Sequence, residues 1–594
     1  MSFERKVRLL GTIFLIFFVL VFVRLFYWQI LLSGGLSSQA DKQHFYSLEI
    51  PARRGEIKTK DGFVLAADKP AYLLYVNLQK FTGNATTSAE KLADIFAAEV
   101  PLVATDSAAI SSDARENFFK NTKEKIQKEL ETKLNSKEAV WVNLEHFISP
   151  AVKDKITSLN IAGLDFADEE TRDYPEASMA AHLLGFVGFD VAGSPKGYFG
   201  LEGFYDRELA GRPGELRIEK DAFGRPIAIG SESRQEKQDG RNLILTVNRG
   251  VQLLVEKNLE KGISDWKATG GTVIVMDPNN GAIIASASMP RYDPRNFSYY
   301  PSDLYKNPAI ADLYEPGSIF KPLVMAAAMN AGKVAPATRC DKCDGPRQIL
   351  NYYIHTFNDQ YHPNLTMTEI LINSDNTGMV FVGEKLGFKN LFAAVSGYGF
   401  GQKSGVDLQE EEEGNLHEMK DYYPIDQATM AFGQGINVNA MQMMRAWAVL
   451  ANGGYLVTPH VVDQIETPSG LINLDWKRGR QLISEKTVKT LTEMLVRVCH
   501  ESPEHFPLDR VPELAKFSIA AKSGTAQIAL GGKYLEQGTI ASLIGFFPAD
   551  APQFLVMVKL NEPEVRPWGS DTAGPVFFAI LRDLVSYYGL APKE

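Results

Sequence analysis

Apolar residues follow three different patterns along this chain. From 9 to 32 they run almost unbroken, LLGTIFLIFFVLVFVRLFYWQILL, with the single charge of Arg24 inside. A helix rising about 1.5 Å per residue carries such a run across the roughly 30 Å hydrocarbon layer of a bilayer. Beyond it come short strand-like runs, a polar helical stretch at 117–134, and turn signals such as Asp61-Gly62, Gly193-Ser194-Pro195 and Gly211-Arg212-Pro213-Gly214. This part predicts an elongated α+β module. At its end Val251, Leu254, Val255 and Leu259 recur at helical spacing within 249–261, a helix expected to act as a hinge or connector.

Past residue 265 the pattern changes. Two β-rich runs, 272–276 and 282–287, flank Asp277-Pro278-Asn279-Asn280-Gly281, a hairpin signal. The chain closes with strand-like runs at 540–547 and 554–560 and an apolar helix at 575–588. Strands at both ends of a mostly helical middle predict one sheet, completed by the C-terminal strands, with helices packed on it. The expected division is therefore a stub and anchor at 1–33, the first module at 34–264 and the second at 265–594. The acidic run 410–413 reads as a solvated loop.

Composition narrows the function. The 594 residues are 45% apolar and 23% charged, enough for several cores. With 62 Lys plus Arg against 72 Asp plus Glu the net charge is -10, which gives no global pull toward nucleic acid. Arg5, Lys6 and Arg8 precede the apolar run, so the N-terminus is expected in the cytoplasm and the bulk of the chain outside. Arg24 can snorkel to the interface beside Tyr27 and Trp28. A cleaved signal peptide fits less well, because the run is long and Ser37-Ser38-Gln39-Ala40 is a poor cleavage site. Cys340 and Cys343 form a lone C-x-x-C, to be read as a local disulfide or two free thiols; a metal site completed by Cys499, His500 and His505 is the weaker alternative.

The chemistry concentrates in three short motifs. Ser318-Ile319-Phe320-Lys321 opens a good helix-forming stretch, and Pro322 is tolerated only in a first turn, so the helix should begin near Ser318. A hydroxyl there sits at the positive end of the dipole with Lys321 one turn on, and a lysine of lowered pKa can deprotonate it. The tetrapeptide alone is weak, because Ser318 could be a mere cap and Ser88/Lys91 and Ser264/Lys267 share the spacing. Ser374-Asp375-Asn376 adds a second hydroxyl and an amide between helical stretches. Lys522-Ser523-Gly524-Thr525 follows a strand-like run at 517–521, so its side chains should alternate across a sheet edge that can pair with an extended peptide. Gly524 leaves room for a backbone to approach. Lys403-Ser404-Gly405 spells the same tripeptide as Lys522-Ser523-Gly524 but lacks a preceding strand.

With these elements in this order the sequence resembles the penicillin-recognising serine acyltransferases, whose S-x-x-K, S-x-N and K-[ST]-G motifs they match. Arg54-Gly55-Glu56-Ile57 with Asp61-Gly62 and Leu65-Ala66, and Gly200-Leu201-Glu202-Gly203 with Asp206, Leu209 and Gly211, resemble the pedestal signatures of class B, monofunctional penicillin-binding proteins; turn and interdomain packing accounts for them as well as a catalytic role does. Phe432-Gly433-Gln434-Gly435 and Asn452-Gly453-Gly454 match further family segments. Val438-Asn439-Ala440-Met441-Gln442 departs from the usual V-T-P-L-Q, and the acidic run replaces the usual L-P-G-E.

The resemblance implies an α/β transpeptidase domain of the serine β-lactamase-like type, and the cross-linking of peptidoglycan stem peptides through a serine acyl-enzyme that β-lactams trap. It implies Ser318 as nucleophile and Lys321 as base. Ser374 and Asn376 would move the proton and hold the peptide, and Lys522 would keep Lys321 neutral and draw the substrate carboxylate. Ser523 and Thr525 would bind that carboxylate beside Gly524, and the backbone N–H groups of Ser318 and Thr525 would form the oxyanion hole. No metal or organic cofactor is required. Tyr314-Glu315-Pro316-Gly317-Ser318 with Asn376-Thr377-Gly378-Met379 is more similar to the division or sporulation type than to the elongation type. The expected partners are a SEDS-type membrane glycan polymerase and other division proteins. The alternatives are an elongation-type transpeptidase, an acylatable β-lactam sensor or an idle scaffold; a β-lactamase would have no need of the pedestal, and a bifunctional synthase would need a further domain.

Overall fold

The computed structural model describes residues 2–35, 45–101, 112–137, 139–221, 227, 232–502, 511–530 and 533–592. The chain divides into two compact units, Met1–Arg54 with Ala210–Gly240, and Gly55–Leu209 with Arg241–Glu594.

In the first unit the apolar run forms a helix, Phe3–Phe26, extended by a wider turn over Tyr27–Leu31. The whole stretch Phe3–Leu31 is long and apolar enough to cross a membrane once, and none of its apolar window is buried within the protein. The Arg24 guanidinium lies 5.0 Å from the Trp28 ring centroid and 5.7 Å from that of Tyr27. Ala40 lies outside the described residues. Strand Phe45–Ile50 pairs antiparallel with Gly214–Glu219, which pairs with Glu232–Gln235. The expected turn at 211–214 leads into this sheet. Gly211 has φ +69, and a Cβ on it would stand 2.4 Å from Gln238 O, so only glycine fits.

The second unit is built on a five-stranded antiparallel sheet. Its elements, in chain order, are α1 (Arg249–Trp266), β1 (Gly270–Met276), β2 (Ile283–Met289), α2 (Lys321–Asn330), α3 (Met367–Ile372), α4 (Asn376–Leu386), α5 (Glu485–Glu501), β3 (Ala520–Leu530), β4 (Lys533–Phe547), β5 (Phe554–Asn561) and α6 (Ala573–Tyr588). The strand order is β2-β1-β5-β4-β3, which leaves β3 at an edge. Every residue of β1 is buried, which explains its continuous apolar run: α1, the short helix Pro308–Ala311 and helix Ala440–Ala451 meet it, and α6 packs on the neighbouring β4 and β5. The helix expected as a connector is therefore a layer of this sheet. Val251, Val255 and Leu259 are fully buried on it, and Gly262 packs so closely on Val576 that a Cβ would stand 2.4 Å from its Cγ2.

A second sheet crosses the expected boundary at residue 265. Asn242–Leu245 pairs parallel with Ile57–Lys58 on one side and antiparallel with Val462–Thr467 on the other. Pedestal strands Val64–Asn77, Trp141–Ile148 and Leu164–Asp173 continue the sheet. The two pedestal signatures meet at Arg172. Its side chain donates to Glu202 Oε1 at 2.7 Å, Asp68 Oδ1 at 3.0 Å and Gly55 O at 2.8 Å, with Glu202 fully buried. These contacts give the signatures a packing function, and Arg172 lies in neither of them.

One further expectation changes, and one open choice closes. The acidic run is not merely solvated: Glu411 is buried and accepts the backbone N–H of Ser404 at 2.7 Å and of Gly405 at 3.3 Å. The Lys403-Ser404-Gly405 tripeptide is thus a loop that grips a carboxylate, away from any strand. Cys340 and Cys343 are joined in a disulfide, and Cys499 is a buried free thiol. His505 lies outside the described residues, and among the described ones no cluster suited to a metal is found.

Candidate active site

Ser318 is presented by a strained turn. Gly317 takes φ +57 in a single 3-10 turn, Gly317–Phe320, that runs straight into α2. The helix proper thus starts at Lys321, three residues later than expected, and the short turn aims the Ser318 hydroxyl outward from its end. Gly433 braces this turn. Its O accepts the Gly317 N–H at 3.0 Å, and with φ +83 a Cβ there would lie 2.3 Å from Gly317 O. Trp447 Nε1 donates to Ile319 O at 3.0 Å behind it.

The Ser374 motif closes on the same point. Ser374 follows α3 with φ +51, a left-handed conformation uncommon for a residue with a side chain and characteristic of sites held under strain. Asp375 caps α4, accepting from Gly378 N and Thr377 Oγ1 at 2.7 Å each. Ser374 Oγ then lies 3.0 Å from Ser318 Oγ. Lys321 Nζ reaches Ser374 O at 2.5 Å, Ser374 Oγ at 3.2 Å and Asn376 Oδ1 at 2.8 Å. Here Nζ donates to all three oxygens and Ser374 Oγ donates to Ser318 Oγ; transfer of the Ser318 proton requires both hydroxyl bonds to reverse, with Ser318 donating to Ser374 and Ser374 to a neutral amine. Lys321 is fully buried, and burial, followed by the positive charge of Lys522, lowers its pKa well below the ordinary lysine value, against the pull of Asp375.

Lys522 rises from the edge strand β3. The strand begins at Ala520, so the motif lies within it rather than after it, and Phe517 belongs to the preceding turn. Lys522 is 1% exposed, donates to Ser523 O at 3.0 Å, and is lowered by burial to about 8 against the neighbouring Cys499. Gly524 has a packing reason to be glycine beside the expected one. A Cβ there would meet Ser542 Oγ at 2.8 Å, Ile319 Cγ2 at 3.0 Å and Pro316 O at 3.2 Å, so its bareness lets β3 pack on the nucleophile turn. Thr525 is half-buried beside that turn; a Cβ on Gly317 would stand 3.4 Å from Thr525 O. Its Oγ1 accepts the Gly569 N–H at 3.0 Å, which frees its own O–H for a ligand.

Ser318, Lys321, Ser374 and Asn376 therefore meet at one point with β3 packed on the nucleophile turn, whereas Ser88 is buried in helix Ala85–Glu99 and Ser264 and Lys267 end α1. Sequence reasoning missed the walls. His355 O accepts the Asn376 Nδ2–H at 3.0 Å, and Phe357 meets Trp568 edge to face with ring centroids 4.6 Å apart. Glu315, three residues before the nucleophile, accepts from Gly435 N and Tyr534 OH at 3.0 Å each. Only the Phe432-Gly433-Gln434-Gly435 segment carried a signal for these contacts. The departures are also explained: Asn439 caps helix Ala440–Ala451 in a reciprocal box with Gln442, as a threonine would.

A five-stranded antiparallel sheet under helices, with a serine on the turn that opens a helix, a buried lysine one turn on and a second buried lysine on the edge strand, defines the class of serine acyltransferases. Residues 271–582 match the penicillin binding protein transpeptidase domain, and residues 49–245 match the penicillin-binding protein dimerisation domain. The chain is 31% identical to the stage V sporulation protein D of Bacillus subtilis over 98% of its own length and 85% of that protein's. It is 26% identical to the peptidoglycan D,D-transpeptidase FtsI of Escherichia coli over 96% and 89%. The fold of a peptidoglycan synthetase from Bifidobacterium adolescentis superimposes with a TM-score of 0.70 at 24% identity, covering 93% of this chain and 98% of that one. The chain belongs to the penicillin-binding protein transpeptidase family, of the class B type that carries a dimerisation domain.

Proposed function

We propose that this protein is a peptidoglycan D,D-transpeptidase that works through a Ser318 acyl-enzyme. Ser318 Oγ attacks the carbonyl of the penultimate D-alanine of a donor stem. Its proton passes through Ser374 to Lys321, which returns it to the departing terminal D-alanine. Asn376 holds the donor peptide, while Lys522, Ser523 and the free Thr525 hydroxyl take its terminal carboxylate. The N–H groups of Ser318 and Thr525 hold the oxyanion, a contribution commonly worth about 3 kcal/mol. The observation that carries the reading is the continuous path from Ser318 Oγ through Ser374 Oγ to a fully buried Lys321, whose pKa burial and then the charge of Lys522 lower.

The wider assignments follow the same reading. Phe3–Leu31 anchors the protein with its N-terminus in the cytoplasm and the enzyme outside, in accord with Arg5, Lys6 and Arg8 before the apolar run. Residues 34–264 serve as pedestal and 265–594 as the catalytic part. The sequence around Ser318 and the sporulation protein among the relatives favour a division or sporulation role. A SEDS-type glycan polymerase is the partner this role requires. The test is covalent labelling with penicillin and release of D-alanine from a pentapeptide stem. Both should occur, the adduct should map to Ser318, and both should vanish in Ser318→Ala; an adduct elsewhere would overturn the assignment.

A further inference from the structure

The cleft wall on the Asn376 side carries a group that acylation does not use. His355 follows strand Tyr352–Ile354, and its carbonyl holds the Asn376 amide. Its Nδ1 lies 2.7 Å from Asp359 Oδ1 and 3.0 Å from Tyr361 OH, and Tyr361 OH donates to the same Asp359 oxygen at 2.8 Å. Asp359 completes this triangle from a left-handed backbone, φ +54, at the end of the turn Phe357–Asp359, a conformation aspartate tolerates. Hydrogen bonds from Tyr361 and His355 keep its carboxyl below the usual range. Tyr361 in turn feels the charge of Asp375, the residue between Ser374 and Asn376. With Nδ1–H given to a carboxylate, the lone pair of an exposed imidazole is left on Nε2.

Resting on the transpeptidase reading, we infer that His355, oriented by Asp359 and Tyr361, is the base that deprotonates the acceptor amine in the second half of the reaction. An alkyl amine arrives as an ammonium at neutral pH. It cannot readily shed its proton inside a pocket that already holds the charge of Lys522. His355 Nε2 takes one proton at the wall, and the freed lone pair forms the N–C bond to the acyl carbon. The C–Oγ bond to Ser318 breaks, and a second amine proton reaches Ser318 Oγ through Ser374. Ammonium and acyl ester thereby become amide, free Ser318 and an imidazolium, which returns its proton to water.

The experiment uses the full-length protein, a thioester analogue of the donor stem, and two acceptors: glycine, protonated at pH 7, and hydroxylamine, already neutral there. His355→Gln should leave penicillin acylation of Ser318 and the donor KM within about twofold, and lower transfer to glycine roughly 100-fold. Transfer to hydroxylamine should stay within about threefold of the unaltered protein, because that acceptor needs no base. Asp359→Asn should lower transfer to glycine and spare transfer to hydroxylamine in the same way, since the ring loses its orienting carboxylate. Equal losses with both acceptors would make His355 a prop for the loop, and normal glycine transfer would remove it from the reaction. If the unaltered protein is acylated yet transfers to no amine, the transpeptidase reading itself falls.

Discussion

Asp407 accepts the Tyr205 hydroxyl at 3.0 Å while holding the backbone N–H groups of Val461 and Val462 at 2.7 and 2.9 Å. One buried carboxylate thus bonds a helical turn inside the second pedestal signature to strand Val462–Thr467 and the residue before it. Burial raises its pKa to about 6, against the hydrogen bonds it accepts. The unfolded carboxyl titrates near ~3.9. The folded protein therefore binds this proton more tightly, and the stability it contributes is full below about pH 4 and lost as pH rises through about 6. Asp407→Asn should flatten the thermal midpoint between pH 4 and 6.5, and it should cost about 1–2 kcal/mol at the acidic end, where one N–H loses its acceptor. Thermal melts across that range check it; an unchanged slope would mean that another group sets the pH dependence.

Lys522→Ala should lower the acylation rate by at least about 100-fold, whereas Lys403→Ala should change it by less than about twofold. The surviving activity should also need a higher pH, because removing a nearby cation lets Lys321 hold its proton more strongly. Stopped-flow acylation with a chromogenic cephalosporin between pH 5 and 9 measures both effects. A limb that moves to lower pH would show that Lys522 does not act on Lys321 through its charge.

Gly433→Ala should uncouple structure from chemistry. The added Cβ meets the carbonyl of Gly317 rather than a yielding side chain, so the nucleophile turn must shift. Acylation should fall by roughly 100-fold, as expected when a reacting atom is displaced by about 1 Å. The protein should still fold, and circular dichroism beside the labelling assay would show it.

Arg172→Met should be costly although it lies outside the cleft. It removes the guanidinium from fully buried Glu202, which keeps the Tyr174 hydroxyl at 3.4 Å, a loss of about 3–5 kcal/mol. Denaturant unfolding should show the loss, while the acylation rate of the folded fraction stays unchanged.

A version lacking residues 1–33 should bind penicillin at nearly the full-length rate, since every acylating group is retained. In cells it should fail to replace the intact protein. Replacement of 9–32 by an unrelated single-pass helix tests whether that run is only an anchor: full rescue would say so, and failure despite insertion and normal penicillin binding would point to a specific helix partner.

The motifs were legible because each is local. A proline that must sit in a first turn, a serine three residues before a lysine, and a β-rich run before a second lysine are facts of neighbouring residues. Even there the edges moved: α2 starts at Lys321, and β3 begins at Ala520 and contains its motif. What stayed hidden is contact between distant parts. Nothing near Glu411 says that its carboxylate turns inward onto Ser404, and nothing near Gly524 says that Ile319 and Pro316 press on it. The 249–261 helix shows an apolar face that fits a connector as well as a sheet layer, and only its partners decide. His355 carries no motif, and its position beside Asn376 depends on how the loop after strand Tyr352–Ile354 folds back.

The sheet shared by Ile57–Lys58, Asn242–Leu245 and Val462–Thr467 sets an order of events during synthesis. The strand at 242–245 finds its first neighbour among residues already made, but its other edge stays open until residue 462 has been delivered. Throughout that interval the nascent chain presents an unpaired row of backbone N–H and C=O groups, a template for the wrong strand as well as the right one. The chain therefore cannot mature module by module from its N-terminus. Premature termination anywhere between 246 and 461 would leave a fragment with a bare edge, fit for aggregation or proteolysis rather than for a reduced version of the same task.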